Sequence, residues 1–261
     1  MTPEHPSDPP LQTVAVPGGV VRLTDEGAGP ALVCLHGMPG SPRDFRWLAP
    51  AMPGLRTIRV ALPGVAGSTP VPQPDPAALA AVVPLVADAL KLDGYAVLGH
   101  SLGGAVATAV AVTDPRVRAL VLVSAVGTRP HRGYRSLSGW QWSLLDLALG
   151  TPARGVLVTR IRTLYLRFGF PSSITDDELI TTIRAAARVR FPEHAARLTQ
   201  VVVPTLVAWT DDDKLIEGAI FQELAALVPD GPRLRFPDGG HNPQKTHAVE
   251  IGAAISALLR P

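Results

Sequence analysis

Short apolar runs recur along this chain, separated by stretches whose hydrophobic spacing is helical. Leu11 to Val16 and Val20 to Thr24 flank Pro17-Gly18-Gly19, two β-rich runs across a turn, which predicts an opening hairpin. Further runs follow at Ala31 to Leu35, Thr57 to Ala61, Tyr95 to Leu98, Ala119 to Val123, Thr205 to Trp209 and Leu234 to Phe236. Between them, helical patterns cover Pro42 to Ala51, Pro76 to Leu92 behind an Asp75 cap, Leu102 to Val112, Glu217 to Val228 and Thr246 to Leu259. Pro84 is expected to bend the second of these. Strands alternating with helices imply an α/β fold, a mostly parallel eight-stranded sheet with helices on both faces.

The rhythm breaks once. Between Val123 and Thr205 lie roughly eighty residues of helical pattern, including Leu144 to Leu149, Leu157 to Phe168 and Asp177 to Val189. A structureless loop of that length is improbable in a compact domain, so a helical cap inserted into the core is the economical reading. The expected plan is a flexible N-terminal tail over residues 1–10, a core over 11–125 and 201–261, and a cap over 126–200. With 261 residues, 46% of them hydrophobic, the chain suffices for one large core. Met1 to Pro10 is polar and proline-rich, unlike a secretory signal, and the apolar stretch Ala77 to Leu92 is interrupted by Pro84 and Asp88. A cytoplasmic protein without membrane association is expected.

Charge and cysteine content narrow the partners. A net charge of +2 without a lysine-rich run points away from nucleic acid and toward a small-molecule substrate. The single cysteine, Cys34, excludes an intramolecular disulfide and a zinc site built on cysteines. The seven histidines show no closely paired ligand spacing, so neither metal nor cofactor is expected. Residues 126–200 hold eleven arginines against five acids, a local charge of +6 that leaves −4 for the remainder. Two readings stay open: one of Arg129, Arg132 and Arg135 meets an acidic substrate group, or these arginines form a solvated helix face. Oligomeric state is not legible.

The chemistry begins at Gly99-His100-Ser101-Leu102-Gly103, directly after an apolar run and directly before a helical one. A strand turning straight into a helix around one serine strains that residue and exposes its hydroxyl, and glycines two positions away relieve the crowding. A serine hydroxyl needs an adjacent base, and the base needs a third group to hold its tautomer. His241 is the candidate base, on the loop Pro237-Asp238-Gly239-Gly240 after the last strand; His247, the rival, sits where the final helix has started, and His100, beside the nucleophile in sequence, points away from it at the elbow. His5, His131 and His194 are placed in tail or cap as solvated residues. The acid comes from Asp211, Asp212 and Asp213, of which Asp213 is chosen. Backbone amides of Leu102 and Met38 are the expected oxyanion donors, Met38 lying in the loop His36-Gly37-Met38-Pro39-Gly40-Ser41. His36, Gly37 and His100 are expected to shape the substrate-binding surface, with the His36 ring packed against its own loop.

At these residues the chain resembles the α/β-hydrolase fold superfamily: the His36-Gly37 loop, the elbow, Asp213 and Gly240-His241 occur in its order over nearly the whole length, with the cap at its usual place. The resemblance implies a serine hydrolase acting on an ester or thioester of a small organic acid. C–C bond hydrolysis or acyl transfer on the same triad is the alternative, and a ligand-binding receptor of the same fold the non-enzymatic one. Epoxide hydrolases and haloalkane dehalogenases share the His-Gly-x-Pro-Gly loop but normally use an aspartate where Ser101 stands. Met38 and the arginine-rich cap depart from the prolyl aminopeptidase pattern, and Thr210 stands where relatives often have glycine three residues before the acid.

Overall fold

A computed structural model describes residues 8–152, 154–167 and 174–260. Its strands are β1 (Gln12–Val16), β2 (Gly19–Glu26), β3 (Ala31–Leu35), β4 (Arg56–Val60), β5 (Tyr95–His100), β6 (Val117–Val123), β7 (Thr205–Thr210) and β8 (Arg233–Phe236). They form one sheet in the order β1-β2-β4-β3-β5-β6-β7-β8. Only the β1–β2 and β2–β4 pairings are antiparallel; the rest of the sheet is parallel, as the alternation predicts.

Every residue of β3, β5 and β7 is buried, because helices cover both faces. The period-2 pleat sorts their side chains into two layers. Val33, Leu35 and Val97 face α1 (Pro76–Ala80), α2 (Val82–Ala89), α3 (Leu102–Thr113) and α8 (Gly218–Leu227). Leu32, Cys34 and Leu98 face α10 (Ala248–Leu258) and two 3₁₀ turns, Pro42–Phe45 and Ala49–Ala51. Burial pushes the Cys34 thiol up to about 12, leaving an inert hydrophobe.

Among the described residues, four α-helices separate β6 from β7: α4 (Gly139–Leu149), α5 (Arg154–Arg167), α6 (Asp176–Ala187) and α7 (Phe191–Leu198). Leu149 of α4, Val158 of α5 and Leu179, Ile180 and Ile183 of α6 make a small core of their own. By contrast, Val189, Phe191 and Leu198 join the main core, so α7 belongs by packing to the α/β body although it falls within 126–200.

Other expectations are amended by local chemistry. The helix expected over Pro76 to Leu92 does not bend but breaks at Ala81, because Pro84 offers no N–H to the Ala80 carbonyl and its ring crowds that group. Prolines also shorten Pro42 to Ala51 into the two 3₁₀ turns. The last helix splits at His247 into α9 (Pro243–Thr246) and α10. Residues 1–7 of the expected tail, and Phe168 at the end of the expected cap helix, lie outside the described residues. Asp8, inside the expected tail, is tied to Arg43 at 3.0 Å and to the buried Arg59 at 2.8 Å.

Candidate active site

The residues singled out by sequence lie at or just beyond the carboxyl ends of β3, β5, β7 and β8, the edge at which parallel sheets present ligand-binding loops. Ser101 follows β5 with φ 53° and ψ −122°, a conformation that crowds any side chain. Surrounding bonds hold it there: its N–H donates to the Val123 carbonyl at 3.1 Å, and its carbonyl accepts from Gly104 at 2.9 Å and Val126 at 3.0 Å. The flanking glycines are needed for space. A Cβ at Gly99 would stand 2.2 Å from the Gly103 carbonyl oxygen, and one at Gly103 would stand 2.3 Å from that of Leu35.

His241 Nε2 lies 2.9 Å from Ser101 Oγ, and its Nδ1 lies 2.7 Å from Asp213 Oδ2. A carboxylate only accepts, so Nδ1 carries the proton and Nε2 presents a lone pair to the serine hydroxyl. The other Asp213 oxygen accepts from the Leu215 and Ile216 amides at 2.8 and 3.0 Å. Burial pushes the Asp213 carboxyl up, but its interaction with His241 and the two amides together hold it below the usual carboxylate range. The three consecutive aspartates divide the work. Asp211 pairs with Arg235 at 2.8 Å, Asp212 accepts from the Gly240 amide at 2.8 Å, and Asp213 alone reaches the imidazole.

Thr210 is a functional neighbour that motif reasoning registered only as a departure. Its hydroxyl donates to the Gly240 carbonyl at 2.7 Å, so with Asp212 it grips both polar groups of the residue before the base. Gly239 and Gly240 take φ 118° and 62°, which the reversal ahead of His241 requires.

Two of the residues expected at the substrate-binding surface lie behind it. His36 is wholly buried; its Nε2 accepts from the Leu62 amide at 3.0 Å, so Nδ1 donates to the Gly37 carbonyl at 2.7 Å, and no polar atom is left for a ligand. His100, also buried, donates from Nε2 to the His241 carbonyl at 2.8 Å. Burial, with a further push from the neighbouring His241 imidazole, drives its pKa down to about 3, so it stays neutral. Gly37 packs against the elbow, where a Cβ would stand 2.9 Å from Ser101 Cβ. Leu102 opens α3, so its amide lacks an intrahelical acceptor and sits at the positive end of the helix.

The remaining histidines are placed by packing. His247 stacks on Phe236 with centroids 4.0 Å apart and bonds the Asp238 carbonyl, away from Ser101. His194 is not solvated: it donates to the Val126 carbonyl at 2.9 Å, and burial lowers its pKa to about 4. His131 lies beside the acid loop, with Nδ1 3.1 Å from the Leu215 carbonyl. The three arginines near it have partners within the chain. Arg129 pairs with Glu223 and Arg135 with Glu217, while the Arg132 amide donates to Glu217 at 2.9 Å and its guanidinium to the Lys214 carbonyl. These groups fasten the segment after β6 onto the acid loop and α8.

A strained serine, an imidazole and a carboxylate at the carboxyl edge of this sheet define an enzyme of α/β-hydrolase type. A family model described as alpha/beta hydrolase fold matches residues 30–248, and the chain belongs to that family. It is 28% identical, over 92% of its length and 90% of the relative's, to a 2-hydroxy-6-oxononadienedioate/2-hydroxy-6-oxononatrienedioate hydrolase of Cupriavidus pinatubonensis. It is 29% identical, over 89% and 96%, to a pimeloyl-[acyl-carrier protein] methyl ester esterase of Xanthomonas oryzae pv. oryzae. Among solved structures it resembles a thermophilic esterase from Thermogutta terrifontis, with TM-score 0.77 and 19% identity over 96% of this chain and 98% of that one. Among the described residues, no helix is long and apolar enough to cross a membrane, and no group of three or more His, Cys, Asp or Glu could hold a metal ion.

Proposed function

We propose that the protein is a serine hydrolase that cleaves an ester or thioester of a small organic acid through an acyl-enzyme. The observation that carries this reading is the unbroken hydrogen-bonded series from Asp213 through His241 to Ser101. Ser101 Oγ attacks the substrate carbonyl carbon while His241 Nε2 takes the hydroxyl proton. The resulting oxyanion is held by the Leu102 and Met38 amides; losing one such donor typically costs about 3 kcal/mol of transition-state stabilisation. The intermediate collapses, the bond to the leaving group breaks, and His241 returns the proton to that group. Water, deprotonated by the same nitrogen, then attacks the acyl-enzyme and releases the acid and free Ser101. Asp213 keeps the imidazole in the required tautomer and offsets its charge. In this scheme α4 to α6, with their own small core, form a cap over the site.

The likeness to a methyl ester esterase supports the ester reading. Scission of a C–C bond beside a carbonyl by the same residues is the second reading, favoured by the likeness to the oxononadienedioate hydrolase. A panel of p-nitrophenyl esters of graded acyl length decides: the ester reading predicts a burst of one p-nitrophenolate per protein followed by steady turnover. Absence of burst and turnover across the panel, with turnover of a vinylogous diketone, would favour the second reading.

A further inference from the structure

Two loops must agree in position for this chemistry: residues 36–41, which carry the Met38 amide, and residues 237–242, which carry His241. They approach the nucleophile from opposite ends of the chain. The Lys245 Nζ on α9, four positions beyond His241, lies 2.9 Å from Oδ1 of Asp44, which is 201 residues away in sequence and sits in the 3₁₀ turn that ends the first loop. The second carboxylate oxygen, Oδ2, accepts from the Ser41 amide at 3.1 Å. Each oxygen of one carboxylate therefore serves one loop. The fit is close: a Cβ on Gly40 would stand 2.4 Å from Asp44 Oδ2 and 2.5 Å from the Gly37 carbonyl oxygen. Both side chains are largely withdrawn from solvent, 17% exposed for Asp44 and 31% for Lys245, so salt screens them less than an open surface pair. Burial pushes the Asp44 carboxyl up, but its interaction and hydrogen bond with Lys245, together with His100 and His36, hold it below the usual carboxylate range.

We infer that the Asp44–Lys245 ion pair is a positioning latch that holds the oxyanion loop and the base loop in register, so that the Met38 amide and His241 Nε2 address the same carbonyl. Neither residue touches substrate; both act through the groups they place. The inference rests on the reading of Ser101 as an activated nucleophile. Small misplacements of reacting groups cost rate steeply, and an error near 1 Å can cost about a hundredfold.

The test is the rate at which a fluorophosphonate phosphonylates Ser101, which needs the base and the oxyanion donors but no known substrate. Lys245→Met and Asp44→Asn, the latter keeping an acceptor for Ser41, should each slow labelling about tenfold or more in protein shown to be folded by circular dichroism. The double variant should be no slower than the slower single one, because both changes remove one interaction. On an ester turned over by the wild type, kcat should fall while KM stays within about twofold. Single variants that label at the wild-type rate, even with a lowered Tm, would overturn the latch, as would losses that multiply in the double variant. If the methionine variant does not fold, Lys245→Gln replaces it with the same expectation. A wild type that fails to label sinks the nucleophile reading and the latch with it, whereas a labelled wild type with unaffected variants sinks the latch alone.

Discussion

At the scale of single residues, three adjacent aspartates on one loop have three separate partners, and this separation makes them distinguishable by experiment. Asp213→Asn keeps the shape but presents an amide to Nδ1 and favours the wrong imidazole tautomer, so kcat should fall on the order of 10⁴-fold. Asp211→Asn loses only an exposed pair with Arg235 and should leave kcat within about twofold. Steady-state kinetics on one ester checks both; equal losses at 211 and 213 would show that the loop, not the carboxylate, matters. The sequence made Ser101 and His241 legible because elbow and loop geometry demand glycines at fixed offsets. It could not show that Thr210 and Asp212 grip Gly240, since both bonds cross between loops of different strands. His36 and His100, adjacent to the site along the chain, lie behind it in space because alternate residues at strand ends face opposite ways, which agrees with a His36 ring packed on its loop and a His100 turned from the nucleophile but not with a place for either on the substrate-binding surface.

At the scale of elements, the strands were the most readable part, because each is a short apolar run bounded by turn residues and their boundaries move by only a few positions. Helices were less so. Pro84 breaks its helix rather than bending it, and α7 was not anticipated, because its eight residues bury only Phe191, His194 and Leu198 among charged neighbours. The strand–elbow–helix unit is the element with the least room for change. Gly99→Ala would drive a methyl against the Gly103 carbonyl, and overpacking of this kind costs about 1–3 kcal/mol. The expected result is a clear fall in Tm with loss of esterase activity, read by thermal denaturation; an unchanged Tm would mean that α3 can move away. The arginine-bearing segment after β6 makes the opposite prediction. Since Arg135 is engaged by Glu217, Arg135→Ala should leave the ratio of kcat/KM for neutral and carboxylate-bearing esters unchanged within about twofold at low and high salt. A selective loss on the carboxylate-bearing ester would restore the substrate-binding role.

Across the whole molecule, charge is largely settled within the chain. The eleven arginines of residues 126–200 gave a local excess from composition alone, yet Arg184 and Arg188 share Asp146, Arg162 meets Asp176, and the arginines nearest β6 meet α8 and the residue before it. Burial of histidine has a larger consequence for stability. His100 and His194 are neutral in the folded state, with pKa values near 3 and 4 against 6.5 unperturbed. The unfolded chain therefore binds more protons than the folded one as pH falls below about 6.5, and stability declines through that window. Depressed Asp213 and Asp44 carboxyls add to the loss further down, as pH falls from the ordinary carboxylate range through their folded values. His194→Gln keeps a donor for the Val126 carbonyl but does not titrate. Its unfolding free energy should fall less steeply between pH 6 and 4, by up to about 1.4 kcal/mol per pH unit in urea melts. Parallel slopes for variant and wild type would show that His194 protonates in the folded protein.

The central claim is that Ser101 is a nucleophile activated by His241. Peptide mapping by mass spectrometry after fluorophosphonate treatment tests it most directly: one adduct per chain on Ser101 is expected, and none in Ser101→Ala or His241→Ala treated alike. Adducts distributed over other residues, or equal labelling of the His241→Ala protein, would contradict it.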